Sequence, residues 1–210
     1  MIAEQLKKAV LQAAIQGKLT NQRPEDGDAR DLLKEIKAEK ARLVKEGKLK
    51  KEKPLPEITE DEIPFEIPEN WVWVRLGNII LTGRSGGTPD TKNTQYYGGQ
   101  IPFVTIKDMT TAGMYIDKTF SSITDLGVQN SSAWIIDPNH ILYSMYASIG
   151  KVSINKIPLA SSQAIFAMQL IDNEIFRNFV YTYLLSMESK VYKQAAGTTQ
   201  LNINAKIVKE

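Results

Sequence analysis

Four prolines between positions 54 and 68 restrict this chain more than any other local feature. Each proline lacks a backbone N–H donor, so the stretch that contains Pro54, Pro56, Pro64 and Pro68 cannot sustain a helix or a central strand. We therefore predict a proline-rich, acidic linker over residues 54–69. This linker divides the chain into a shorter N-terminal part and a longer C-terminal part with different residue patterns.

The part before the linker, residues 1–53, is predicted to be helical. Apolar residues recur at helical spacing from Ile2 onward, and Gly17 follows where a left-handed C-terminal cap would end the first helix. A second helix is predicted to begin after Asp28, whose carboxylate can accept backbone N–H groups, and to end at Gly47.

The part after the linker contains short β-type runs separated by glycine-rich and polar turns. The predicted strands cover residues 71–76, 101–106, 133–136, 141–146, 151–154 and 164–170. One helix is predicted over residues 175–195, where aromatic and aliphatic residues share a face that should pack on the sheet. The predicted fold class is α/β (α+β), with an N-terminal helical segment followed by a β-rich domain and a packed helix.

Composition excludes several classes of protein. The 210 residues include no cysteine, which excludes disulfides, thiolate metal sites and cysteine nucleophiles and favours a reducing, cytoplasmic location. No apolar run approaches the roughly 20 residues that span a bilayer. Charge is informative only when it is divided along the chain: residues 1–53 contain 14 Lys and Arg against 9 Asp and Glu, and residues 70–210 contain 12 against 9. This modest basic excess permits nucleic-acid binding but does not establish it.

Near matches to catalytic motifs are all incomplete. The DPNH stretch at 137–140 lacks the second proline and the aromatic residue of an amino methylase, and it predicts a turn before a strand. The glycine–lysine pair at 150–151 lacks the other residues of a phosphate-binding loop. His140 has no second histidine with which to bind zinc, and we interpret it as a turn or surface residue. The sequence therefore predicts a non-catalytic protein with no cofactor and no metal.

Four polar loops punctuated by glycine remain as candidate functional segments, at residues 83–90, 105–113, 144–151 and 197–204. They are either plain strand connections or a surface that contacts nucleic acid. The second interpretation is chemically reasonable, because Asn and Gln can pair bidentately with adenine and Lys with guanine.

Several short motifs, taken in order, resemble the specificity subunit of type I restriction-modification systems. They are LKKAVLQAAIQGKL at 6–19, AEK at 38–40, LPEI at 55–58, IPENWVWVRLG at 67–77, GGTP at 86–89, IPFV at 101–104 with Lys107 and Asp108, ASIG at 147–150 and GTTQLNIN at 197–204. Each is weak alone, but their order over nearly all of the chain is specific.

The resemblance implies a subunit that selects a double-stranded DNA sequence while a methyltransferase subunit and a restriction subunit perform the chemistry. It implies a helical conserved segment at 1–53, one target recognition domain at 70–204 and the start of a distal helix at 205–210. Members of the family have two such domains, so this chain is expected to be a half subunit, a truncation or one excised domain. A second specificity half could then be supplied by homodimerisation.

The resemblance and the loop positions together suggest DNA-contacting residues. Lys107 and Lys151 are the candidates for phosphate contacts, and the candidates for contacts to base edges are Thr105, Tyr146, Gln200 and Asn202. Three tryptophans, at 71, 73 and 134, are either base-stacking platforms or, as is more common in strand-like runs, core residues.

A protein-interaction scaffold is the alternative. In that case the N-terminal helices would pair with helices of a partner, and the β-rich part would be a docking surface. The acidic residues between positions 57 and 69 are compatible with this alternative.

Overall fold

The two predicted N-terminal helices are present. The computed structural model describes residues 2–146, 148–196 and 203–209, and in it α1 covers Ile2–Ile15 and α2 covers Ala29–Lys45. Asp28 caps α2 by accepting a hydrogen bond from the backbone N–H of Arg30 at 2.7 Å. Gly17 and Gly47 both have positive φ, at 69° and 72°, as expected of residues that end helices. The local signals in the sequence were therefore sufficient here.

Residues 46–75 form neither a long helix nor a strand, and Glu60–Glu62 is a single 3-10 turn. The segment is nevertheless held in one conformation by Arg75, whose side chain is only 13% exposed. The Arg75 guanidinium donates two hydrogen bonds to the Glu62 carboxylate, at 2.8 and 2.7 Å, and others to the carbonyl oxygens of Pro56 and Glu57. The proline-rich segment thus follows one defined path.

The Arg75–Glu62 pair should make part of the stability dependent on pH. The guanidinium lowers the pKa of Glu62 from the usual 4.5 to about 2. A depressed carboxylate pKa stabilises the folded state fully above pH 4.5, and that contribution is lost as the pH falls from 4.5 through about 2. In denaturant unfolding, we expect wild type to be more stable than Glu62→Gln at pH 6, and we expect this difference to disappear towards pH 2.

Glu66→Gln is the matched control, because Glu66 is exposed and forms no ion pair in the described structure. A constant difference across this pH range would contradict the assignment.

After this segment, eight strands form two sheets in the described part of the chain. Their bounds are β1 Thr82–Ser85, β2 Tyr97–Val104, β3 Tyr115–Ile116, β4 Ser121–Ile123, β5 Ile141–Ser144, β6 Val152–Asn155, β7 Ala160–Ser161 and β8 Ile165–Gln169. The larger sheet has the order β1-β8-β5-β6-β3, and the smaller sheet has the order β4-β2-β7. The remaining helices are α3 Leu76–Ile79, α4 Ile106–Ala112, α5 Asp125–Gln129, α6 Glu174–Ala196 and α7 Ala205–Lys209.

Three sequence predictions of local structure were wrong. Residues 71–75 have no regular secondary structure and pair with no strand; residues 71–74 line an apolar cavity of about 630 Å³ between α2 and α6, and α3 begins at Leu76. Residues 133–136 form only one bridge, from Ile136 to Leu159. The predicted polar loop at 105–113 is mostly helix α4. In the first two cases the residues have strand propensity but do not form a ladder with a neighbouring strand. Propensity alone does not show whether such a neighbour exists.

Strict alternation along the central strands produces a layered core. In β5 the side chains of Ile141 and Tyr143 face the helices, whereas Leu142 faces the smaller sheet. In β8, Phe166 and Met168 face the helices in the same way. Helices α2 and α6 therefore cover one face of the larger sheet and the smaller sheet covers the other, which confirms the predicted α/β (α+β) class and the packed helix.

The N-terminal helices share this core. Ile36 of α2 is almost fully buried within it, and Lys40 donates a hydrogen bond to the Gly77 carbonyl at 2.7 Å. Asn70 joins the two parts again, since its backbone carbonyl accepts from Ala29 N–H at 2.9 Å. None of the helices in the described ranges combines the length and apolar character needed to cross a membrane.

Candidate functional site

Four of the strands finish at the same end of the two sheets. Strands β1 and β5 both run antiparallel to β8, with Ser85 opposite Phe166 and Ser144 opposite Ile165, so both end where β8 begins. Strand β2 runs parallel to β7, and Val104 pairs with Ser161 just before the turn into β8. We call this region the loop end: the edge of the sheets where β1, β2, β5 and β7 finish.

Backbone hydrogen bonds hold the loops of the loop end together. Ser162 N–H donates to the Val104 carbonyl at 3.0 Å, and Gly87 N–H donates to the Ser161 carbonyl at 2.9 Å. Met145 N–H donates to the Ala164 carbonyl at 2.8 Å, and Ile203 N–H donates to the Met145 carbonyl at 3.1 Å. Two of the loops predicted from the sequence, at 83–90 and 144–151, therefore meet here together with the end of β2 and the turn before β8. The loop predicted at 197–204 enters the described structure only from Ile203 onward.

The pair Gly86–Gly87 allows the first loop to approach its neighbours closely. A Cβ atom on Gly86 would lie 2.2 Å from the Ser161 carbonyl oxygen, and one on Gly87 would lie 2.3 Å from the backbone nitrogen of Ala133. No side chain could be accommodated at these distances without moving backbone. The two glycines are thus required by packing at the loop end.

Asp108 organises the next part of the loop end. Its carboxylate is 2% exposed and accepts hydrogen bonds from Thr105 N–H at 2.8 Å, from the Thr105 hydroxyl at 2.7 Å and from Phe120 N–H at 2.7 Å. It thereby fixes the start of α4 against the start of β4. Lys107, exposed between them, places its ammonium 4.4 Å from the centroid of the Phe120 ring, and that ring is itself 62% exposed. An exposed cation and an exposed aromatic ring are therefore presented side by side.

The residues predicted from the sequence to contact DNA occupy different environments. Lys107 is exposed, but the Thr105 hydroxyl already donates to Asp108. Tyr146 is half-buried and packs against the core. Lys151 forms an ion pair with Glu188 at 2.6 Å, which a phosphate would have to displace. Two further candidates, Gln200 and Asn202, lie outside the described residues.

The tryptophans and His140 serve the core. Trp71 packs edge-on against Phe179, Trp73 packs against Phe65, and the Trp134 indole donates to the Ser85 carbonyl at 3.2 Å. The prediction of a turn before β5 at 137–140 is confirmed, but His140 is buried rather than on the surface. Burial lowers the pKa of His140, and its Nδ1 lies 2.8 Å from the Asp137 carbonyl oxygen. In the described residues no group of His, Asp and Glu side chains is arranged to hold a metal ion.

Sequence reasoning missed two residues of the loop end, Phe120 and Gln163. Phe120 is separated in sequence from its partner Lys107, and no periodicity connects them. Gln163 directly precedes the strand predicted at 164–170 and lay in none of the predicted loops, whereas in the structure it is exposed in the turn before β8. The sequence did contain a signal for Asp108 as a capping residue of α4, because Thr105-x-x-Asp108 has the spacing of a capping box.

The cations of the chain differ in whether they are neutralised. In and next to α2, ion pairs hold Arg30, Lys34, Arg42 and Lys48. In the β-rich part, from β1 to β8, five exposed cations have no carboxylate within 4 Å among the described residues: Arg84, Lys92, Lys107, Lys118 and Lys156. Seven exposed lysines before the linker likewise have no carboxylate within 4 Å among the described residues: Lys7, Lys18, Lys37, Lys45, Lys50, Lys51 and Lys53. Charge available to an anionic partner is therefore present in both parts of the chain.

Lys107 offers a direct test of phosphate contact. Losing one phosphate contact should reduce the slope of log K against log salt by about 0.9 and weaken binding equally for all sequences. We expect this for Lys107→Gln in DNA-binding titrations over a range of salt concentrations.

Lys156→Gln is the matched control for that test. Lys156 also lies over an aromatic ring, 4.5 Å from the centroid of Tyr115, but it follows β6 at the opposite end of the sheet from the loop end. It should leave the slope unchanged. Equal slopes for Lys107→Gln and wild type would remove Lys107 from the interface.

Comparison with known proteins gives one consistent result. A family model described as "Type I restriction modification DNA specificity domain" matches residues 68–210. The chain is 51% identical over 84 residues to the type I restriction enzyme EcoEI specificity subunit of Escherichia coli, a match that covers 40% of this chain and 14% of that protein. It is 60% identical over 74 residues to the EcoAI specificity subunit of the same organism, covering 35% and 13%. The chain thus matches only about one seventh of the length of these relatives.

A solved structure shares the fold. The HsdS subunit from Thermoanaerobacter tengcongensis superposes with a TM-score of 0.52 at 19% sequence identity, over 70% of this chain and 33% of that one. At this identity the likeness concerns the fold alone.

Proposed function

The chain belongs to the family of type I restriction-modification DNA specificity domains, and on that premise we propose that it supplies the sequence-specific DNA contact of a type I complex. In this proposal the loop end lies on double-stranded DNA. A separate methyltransferase subunit modifies adenine and a restriction subunit cuts DNA, while this chain catalyses nothing itself. The complex acts in the cytoplasm.

The observation that carries the proposal is the arrangement of the loop end. Sequence-specific recognition needs cations for phosphates and polar groups for base edges, held on a rigid support. The loop end combines Lys107, unpaired and exposed, with polar loops that are joined by backbone hydrogen bonds. Phosphate contacts would position the domain, and the polar side chains would distinguish sequences.

The N-terminal segment supplies the proposed contact with partner subunits. Apolar residues Ile2, Leu6 and Val10 of α1 recur every four residues and are exposed, Ile2 by 83%. Such a stripe is suited to pairing with another helix. We retain the division into a helical segment at 1–53, a linker at 54–69, a target recognition domain at 70–204 and a further helix from 205 as part of this proposal. Homodimerisation, which would provide a second recognition half, is part of it too.

The proposal is tested by methylation. The chain is produced with the methyltransferase subunit from the same source, the complex is purified, and methylated adenines are mapped across a genome with and without the chain. A sequence-specific pattern that requires the chain is the expected result. Complex formation without any sequence pattern would contradict DNA recognition by this chain, and the absence of a complex would favour the scaffold alternative.

A further inference from the structure

The turn between β7 and β8, residues 162–164, is the most restrained part of the loop end. It is held by three neighbouring segments: Ser162 N–H bonds to β2 through Val104 at 3.0 Å, the Ala164 carbonyl accepts from Met145 at 2.8 Å, and the preceding Ser161 carbonyl accepts from Gly87 at 2.9 Å. Within the turn, Ile165 N–H closes back on the Ser162 carbonyl at 3.1 Å. A side chain on this turn is carried by backbone with little freedom to move.

Gln163 is the polar side chain that this turn exposes. Its backbone N–H lies 3.5 Å from the Thr88 hydroxyl oxygen, whereas its carboxamide has no hydrogen-bond partner in the described part of the chain. Three nearby hydroxyls are engaged or enclosed. Thr105 donates to Asp108, the Ser144 hydroxyl donates to the Ser148 carbonyl, and Ser161 is fully buried. Gln163 therefore combines a free amide with a fixed backbone.

We propose that Gln163 is a specificity-determining residue that reads one adenine of the DNA target. The assignment rests on the proposed function, since it requires the loop end to face DNA. A glutamine carboxamide matches the Hoogsteen edge of adenine: its oxygen accepts from the N6 amino group and its NH2 donates to N7. No other base presents one donor and one acceptor in that order. A rigid backbone makes this pairing selective, because the amide cannot shift to satisfy a wrong base.

The experiment uses the full chain with its methyltransferase subunit and the target found by methylation mapping. Competition binding is measured for the target and for a panel in which each base pair is replaced in turn. Wild type should lose about 10- to 100-fold in affinity when one particular A·T pair is replaced. Gln163→Ala should bind the intact target weaker by a similar factor, lose discrimination at that pair alone, and keep the wild-type salt dependence because no phosphate contact is removed.

Gln169→Ala is the matched control. Gln169 is also exposed and lies in β8, but at the end of that strand opposite to the loop end. Its removal should leave discrimination unchanged at every position.

The outcomes separate this inference from the proposed function. If wild type discriminates among the sequences and Gln163→Ala discriminates equally at every position, Gln163 is not a base reader and the proposed function stands. A uniform loss of affinity on all sequences would indicate a structural role and would also overturn the inference. If wild type itself shows no sequence preference, the proposed function fails and the inference fails with it.

Discussion

Gly86→Ala is expected to destabilise the protein by about 3 kcal/mol and to weaken DNA binding further than the loss of folded protein explains. The added methyl group would lie 2.2 Å from the Ser161 carbonyl oxygen and 2.5 Å from that of Ser162. Both are backbone atoms, so no change of side-chain rotamer relieves the overlap. The first loop must then move away from the turn at 162–164, which breaks the geometry of the loop end. Denaturant unfolding and DNA titration of the same preparations measure the two effects.

Gly98→Ala is the control for this substitution. Gly98 has a positive φ of 77°, and a methyl group there meets nothing within 4 Å. Its cost should be only the left-handed backbone penalty, about 1 kcal/mol, with unchanged DNA affinity of the folded protein. If the two variants were equally stable and bound DNA equally, the tight packing of Gly86 would not be needed for the loop end.

The second large effect is expected for Asp108→Ala. Removing the carboxylate leaves the N–H groups of Thr105 and Phe120 without partners at a buried site. Each such group costs about 1–3 kcal/mol, so we expect a loss of about 3–4 kcal/mol in the free energy of unfolding. Without its bond to Asp108, Phe120 is no longer held in place, and its ring no longer positions the Lys107 ammonium. DNA affinity measured at a temperature where the variant is folded should therefore fall as well.

Two further variants serve as controls for Asp108→Ala. Asp108→Asn keeps the volume and one acceptor oxygen, and it should recover roughly half of the lost stability. Asp117→Ala removes an exposed carboxylate from the connection between β3 and β4, which also contains Phe120. It should change stability by less than about 0.5 kcal/mol. If Asp108→Ala were as mild as Asp117→Ala, the buried carboxylate would not be what joins α4 to β4.

Sequence reasoning succeeded where structure depends on neighbouring residues. Asp28 and Gly47 delimit α2 because capping and left-handed termination act within a few positions, and the face of α6 was visible as helical periodicity. It failed at 71–76, where valines and tryptophans have strand propensity but pair with no strand among the described residues. Whether such a segment becomes a strand is decided by the rest of the fold.

The candidate site shows the same division. The sequence revealed two glycine-punctuated loops of the loop end, at 83–90 and 144–151, but not that they meet, since their meeting depends on the order of strands in two sheets. Nor could it show that Lys151 is neutralised by Glu188, far along the chain, or that Lys107 rests on Phe120. Long-range contacts of this kind follow from topology, which residue spacing does not encode.

The contacts that join the loops of the loop end are mostly made by main-chain atoms, from Ser162 to Val104, from Gly87 to Ser161 and from Met145 to Ala164. Every amino acid except proline carries the same main-chain donor and acceptor. Exposed side chains beside these contacts, such as those of Lys107 and Gln163, can therefore be exchanged at little cost to stability. The scaffold is held together by its backbone, and under the proposed function a few surface substitutions would suffice to change the recognised sequence. A domain built in this way can acquire a new target without first acquiring a new fold.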